Sequence, residues 1–134
     1  MSEQSIRFSV TIEKADVTGR HVRGFASVVE RDGQPVVDSE GDVIAMDDLR
    51  KAAHAFITTA RVAKAMHKGT QVGEIVESVL IDEAFAKALG MTDTRRGWWI
   101  GMDVHDDAIA EKVAKGEFRA FSIGGRGVRK EIQS

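Results

Sequence analysis

From Ser5 to Ala15 apolar and polar residues alternate without a break: Ile6, Phe8, Val10 and Ile12 face one way, Arg7, Ser9, Thr11 and Glu13 the other. A period of two is the repeat of a strand with one buried face, and no helix gathers that set on one side. Related patterns recur along the chain. Asp16 to Gly19 reads as a turn, and Arg20 to Glu30 as a second strand with a small-residue centre at Gly24, Ala26 and Ser27. Gly24 marks a bulge or a close approach of another backbone. Arg31-Asp32-Gly33-Gln34-Pro35 is a loop holding the only proline and a turn-forming Asp-Gly pair. Val62–His67 and Val72–Ile81 read as a hairpin about Lys68-Gly69-Thr70-Gln71, with His67 at the mouth of the turn. Gly97 to His105 is a strand carrying both tryptophans, and Glu117 to about Lys130 is the last strand.

Between these runs the period changes. Asp47 is the expected N-cap of a helix reaching about Ala60, with Leu49, Ala52, Ala53, Phe56, Ile57 and Ala60 as its apolar stripe. His54 lies beside that stripe and reads as a surface residue. Asp82 caps Glu83–Leu89, which Gly90 ends, and Asp106 or Asp107 caps Ala108–Lys115, with Ile109 and Val113 inward and Gly116 as its stop. The order ββ-α-ββ-α-β-α-β, about six strands and three short helices, predicts an α+β domain on a mostly antiparallel sheet or a closed β-barrel.

Composition narrows the chemistry. With 134 residues the chain supports one domain and one core. A net charge of −2 supplies no basic field for nucleic acid, and no apolar run approaches the roughly 18 residues of a membrane span. The opening Met1-Ser2-Glu3-Gln4 has neither the basic nor the apolar region of a secretory leader. The absence of cysteine excludes disulfides, thiol catalysis and cysteine-bound zinc. No G-x-G-x-x-G and no P-loop is present, and the closest histidines, His54 and His67, stand thirteen residues apart, too far for a short-spaced zinc motif. No metal or cofactor is expected. Asp38, Glu40 and Asp42 lack the EF-hand pattern and read as an Asx-type turn.

The stretch with most chemical content is Arg119-Ala120-Phe121-Ser122-Ile123-Gly124-Gly125-Arg126. Alternation sends Phe121 and Ile123 into the core and Ser122 to the opposite face, while two glycines leave space beside the hydroxyl. Such a mount suits a nucleophile, but on local sequence alone an ordinary serine beside a glycine bulge is the commoner occupant. His21, His54, His67 and His105 are the histidines from which a base could come. His67, ending an apolar strand just before Gly69, can project at a sheet edge, but spacing alone does not bring it to Ser122.

The ordered series Gly24–Glu30, Val37–Ile44, Met66-His67, Val72–Ser78, Gly97–Gly101 and Phe118–Gly125 resembles the XkdF-type phage serine proteases, which are similar to the tailed-phage prohead proteases. The resemblance covers about Arg20 to Arg126. It implies an assemblin-like closed barrel with peripheral helices, Ser122 as nucleophile and His67 as general base. Backbone N–H groups about Gly124 and Gly125, with Arg126, would form the oxyanion and substrate site. It further implies an enzyme that cleaves scaffold and major capsid protein inside the procapsid, in the bacterial cytoplasm, that releases itself from a precursor, and that works as a homo-oligomer. The resemblance leaves the third catalytic member open: one option is a residue beyond Ser134, in a longer protein of which this is the N-terminal part. Glu131, Asp103 and Glu77 are the candidates within the chain, and a dyad is the remaining option. An inactive head-assembly module is the other reading.

Overall fold

The computed structural model describes residues 3–38, 41–59 and 64–128, with the backbone alone for 3–7, 59, 64 and 125–128. The strands are β1 (Glu3–Thr11), β2 (Lys14–Ala15), β3 (His21–Arg31), β4 (Gln34–Pro35), β5 (Lys64–His67), β6 (Thr70–Ile81), β7 (Arg96–Val104) and β8 (Ala120–Val128). The helices are α1 (Met46–Thr59), α2 (Glu83–Ala88) and α3 (Asp107–Ala114). One sheet runs β1-β8-β5-β6-β7-β3-β2, with β4 paired to β3, and every pairing is antiparallel.

The sheet curls into a half-barrel and does not close, which corrects the expected closed barrel of about six strands. Seven strands lie on its path because the first predicted strand breaks at Ile12 and Glu13. There the chain changes sides: Ile12 N–H donates to the Arg119 carbonyl at 2.8 Å, and Glu13 N–H to the Arg23 carbonyl at 2.8 Å. The two edges are thus joined by a backbone step of two residues, where closure would need a ladder. The step is tight. A Cβ at Gly24 would sit 2.0 Å from the Thr11 carbonyl oxygen, so the glycine marks a close backbone approach.

The concave face holds the main core. Trp98, Ile100, Met102, Val22, Val10, Phe121 and Ile123 are all fully buried. α1 lies across it through Leu49, Ala53 and Phe56, and Phe56 meets Phe8 and Trp98 edge-on at 5.7 and 5.5 Å. The buried Trp98 indole donates to Ser78 Oγ at 2.8 Å, so its polar atom stays satisfied. α3 packs against the same core through Ile109, Ala110 and Val113. A smaller cluster, Phe25, Ile81 and Ala86 with Trp99, sits apart from this core and includes a residue of α2.

The capping predictions for α2 and α3 hold. Asp82 accepts from Phe85 N–H, Asp106 from Ile109 N–H, and Gly90 and Gly116 follow their helices at φ 65° and 74°. For α1 the expectation is corrected. The helix begins at Met46, Leu49 N–H donates to the Ala45 carbonyl, and Asp47 lies in the first turn. There it favours the helix through the macrodipole. His54 is exposed, as read from the sequence. Asp38 accepts from Asp42 N–H at 2.8 Å, the Asx-type turn predicted for that loop.

Candidate active site

Ser122 sits on β8 between two fully buried neighbours, Phe121 and Ile123, and is itself exposed. Pleating has sorted this strand as its sequence requires. Directly opposite Ser122 stand Ser9 on β1 and Met66 on β5. Gly124 is buried and faces Arg7 on one side and Lys64 on the other. Gly125 and Arg126 face Ile6 and Ser5 on β1.

His67 ends β5, the strand beside Ser122, so the fold brings two residues fifty-five positions apart in the chain onto neighbouring strands. Lys68 and Gly69 follow at φ 50° and 83°, and His67 pairs with Thr70. This is the two-residue hairpin turn in which both central residues are left-handed.

The register also fixes faces. Met66 is opposite Ser122, and Ala65, fully buried, is opposite Ile123, also fully buried. Alternation therefore sets His67 with Ala65 on the concave side and Ser122 with Met66 on the convex side. The imidazole meets the Phe118 ring edge-on at 4.9 Å, and Phe118 packs on Phe121 at 4.8 Å. Strand adjacency thus unites the two predicted residues, while their side chains leave the sheet on opposite faces. The immediate cross-strand neighbours of Ser122, a serine and a methionine, are not bases.

Of the in-chain candidates for a third member, Glu131 lies outside the described residues. Asp103 and Glu77 are engaged elsewhere, in a network that the sequence did not reveal. His21 Nδ1 is 2.9 Å from Asp103 and Nε2 is 2.8 Å from Glu77, and Arg23 donates twice to Glu77, at 2.8 and 2.9 Å. A register break after Ile75 and the bare Cα of Gly101 admit Glu77: its Oε1 lies 2.1 Å from where a Cβ on residue 101 would be. The Asp103 hydrogen bond, aided by Glu77, raises the His21 pKa against the effect of burial. Arg23 and His21 hold the Glu77 carboxyl down to about 2. His21 lies on β3, four strands from β8 in the order of the sheet. A groove of about 640 Å³, with Phe25, Val79, Phe85, Met91 and Trp99 in its walls, includes neither Ser122 nor His67. Among the described residues no cluster of three metal-ligating side chains occurs, and no helix is long and apolar enough to cross a membrane.

The family described as "Putative phage serine protease XkdF" matches residues 9–131. The chain belongs to this family. The XkdF match runs from the end of β1 through β8, with Ser122 and His67 inside it. Two curated relatives come from Bacillus subtilis (strain 168). Uncharacterized protein YqbD is 30% identical over 90 residues, 66% of this chain and 27% of the relative. Phage-like element PBSX protein XkdF is 29% identical over 93 residues, 67% of this chain and 32% of the relative. The chain therefore spans about a third or less of the length of these relatives. No solved structure matches it.

Proposed function

We propose that this chain is the proteolytic domain of a phage prohead serine endopeptidase, with Ser122 as nucleophile and His67 as general base. The observation that carries the reading is Ser122 itself. Between two fully buried residues of β8, in a chain of the XkdF family, it is an exposed hydroxyl one strand from a histidine. In the productive arrangement Ser122 Oγ attacks the scissile carbonyl as His67 removes its proton. The proton then passes to the leaving amine, and water hydrolyses the acyl-enzyme by the same route. N–H groups near Gly124 and Gly125, with Arg126, are the proposed stabilisers of the oxyanion. Scaffold protein, major capsid protein and the enzyme's own precursor junction are the proposed substrates. The proposed setting is a homo-oligomer inside the procapsid in the host cytoplasm.

The test is processing of the cognate scaffold by the full-length protein. Ser122→Ala is expected to abolish it, His67→Ala to come close, and the double variant to add little, because the two groups act as a unit. Wild-type processing by Ser122→Ala would make the serine structural.

One observation favours a second reading, an inactive head-assembly module: the two side chains leave the sheet on opposite faces. That reading predicts no covalent labelling of Ser122 by a fluorophosphonate, together with co-assembly of the full-length protein with scaffold or capsid protein.

A further inference from the structure

We propose that Phe118 is a positioning residue that docks His67 on the concave face and so holds the Ser122–His67 pair unassembled, as a latch. The proposal rests on the serine-protease reading. Three observations carry it. The imidazole lies edge-on to the Phe118 ring at 4.9 Å, while the register assigns Ser122 to the other face. The Phe118 side of the contact is firmly held. Its ring packs on the buried Phe121, Glu117 N–H donates to the Lys112 carbonyl at 2.8 Å, and Arg119 accepts from Ile12 N–H at 2.8 Å.

The His67 side is lightly held. The described pairs of β5 with β8 stop at Met66, one residue short of His67, and the ladder to β6 breaks register between Ala65 and Met66. Among the described residues His67 is paired only with Thr70 across the turn, so bringing its ring round to the Ser122 face disturbs one cross-strand pair and the Phe118 contact. The core pairs Ala65–Ile123 and Phe121–Val10 stay as they are. An aromatic contact of this kind weights the docked state by about two- to tenfold.

The experiment uses the full-length protein, labelled at histidine with carbon-13, and a fluorophosphonate as the probe of Ser122. Two quantities are read: the ring-proton shifts of His67 and the rate of covalent labelling. Ring-current-shifted His67 signals are expected in the wild type and are expected to vanish in Phe118→Leu. That variant is expected to label Ser122 about two- to tenfold faster. A purely structural phenylalanine would only slow labelling when replaced. Labelling in Phe118→Leu at or below the wild-type rate, with the His67 shift lost, overturns the latch and leaves the protease reading in place. Unshifted His67 signals in the wild type overturn it as well, without any variant needing to fold. A wild-type shift with no labelling in any variant, Ser122→Ala serving as blank, counts against the protease reading and takes the latch with it.

Discussion

Single side chains here take their roles from the strand opposite. Ser122 is exposed because Phe121 and Ile123 take both inward positions, and His21 is half-buried because Asp103 and Glu77 close on either ring nitrogen. The His21 network makes stability depend on pH in two ways. His21 has a raised pKa, so its contribution is full below the ordinary 6.5 and is lost as pH rises through the raised value. Glu77 falls from 4.5 to about 2, so its contribution is present above 4.5 and is lost as pH falls toward 2. Both contribute between about 4.5 and 6.5. Urea midpoints measured across pH should therefore decline on either side of that window, and His21→Gln should flatten the alkaline decline. With the Glu77 side chain 44% exposed, solvent screening keeps the acid-side effect small. An unchanged alkaline slope in His21→Gln would remove His21 from this account.

Among the elements, α1 shows how an amphipathic pattern becomes packing. Its stripe places Leu49, Ala53 and Phe56 on the concave core, and Phe56 meets Phe8 and Trp98 while fully buried. Phe56→Ala should cost about 3–5 kcal/mol, the usual penalty for truncating a buried aromatic ring. Chemical denaturation reads this directly, and a midpoint within error of the wild type would show that the helix does not cover the core. β5 is the opposite case. Among the described residues its pairing with β8 stops at Met66, so its last residue, His67, can tolerate a change that β7, paired along its length on both sides, cannot.

In the molecule as a whole, the curl depends on the step from β1 to β2. There Thr11 rests on Gly24, and the chain passes from the β8 side to the β3 side. Gly24 is not at positive φ, so its value is space and not conformation. Gly24→Ala would press a methyl group onto a backbone carbonyl that cannot swing aside. The substitution should cost about 1–3 kcal/mol by overpacking, read as a lowered melting temperature. Hydrogen exchange should quicken at Ile12 and Glu13 before it does in β6 and β7. Unchanged melting would mean that the two edges are not held together at this point.

Much of this architecture was legible because it depends on neighbours in the chain. A two-residue period assigns faces within a strand, Asp82 and Asp106 cap the helix that follows each, and Gly90 and Gly116 stop α2 and α3. The outward placement of Ser122 follows from the same local rule. The partners across the sheet were not legible. Whether His67 shares a face with Ser122 depends on Met66, and not His67, falling opposite the serine, a register set between segments more than fifty residues apart. The His21 network likewise needs the register break beside Val76 and the missing side chain of Gly101. A one-residue slip between strands exchanges the faces of every residue while leaving the hydrophobic pattern of each strand untouched. Alternation therefore names the residues that leave the core, and the assembled sheet chooses which of them meet.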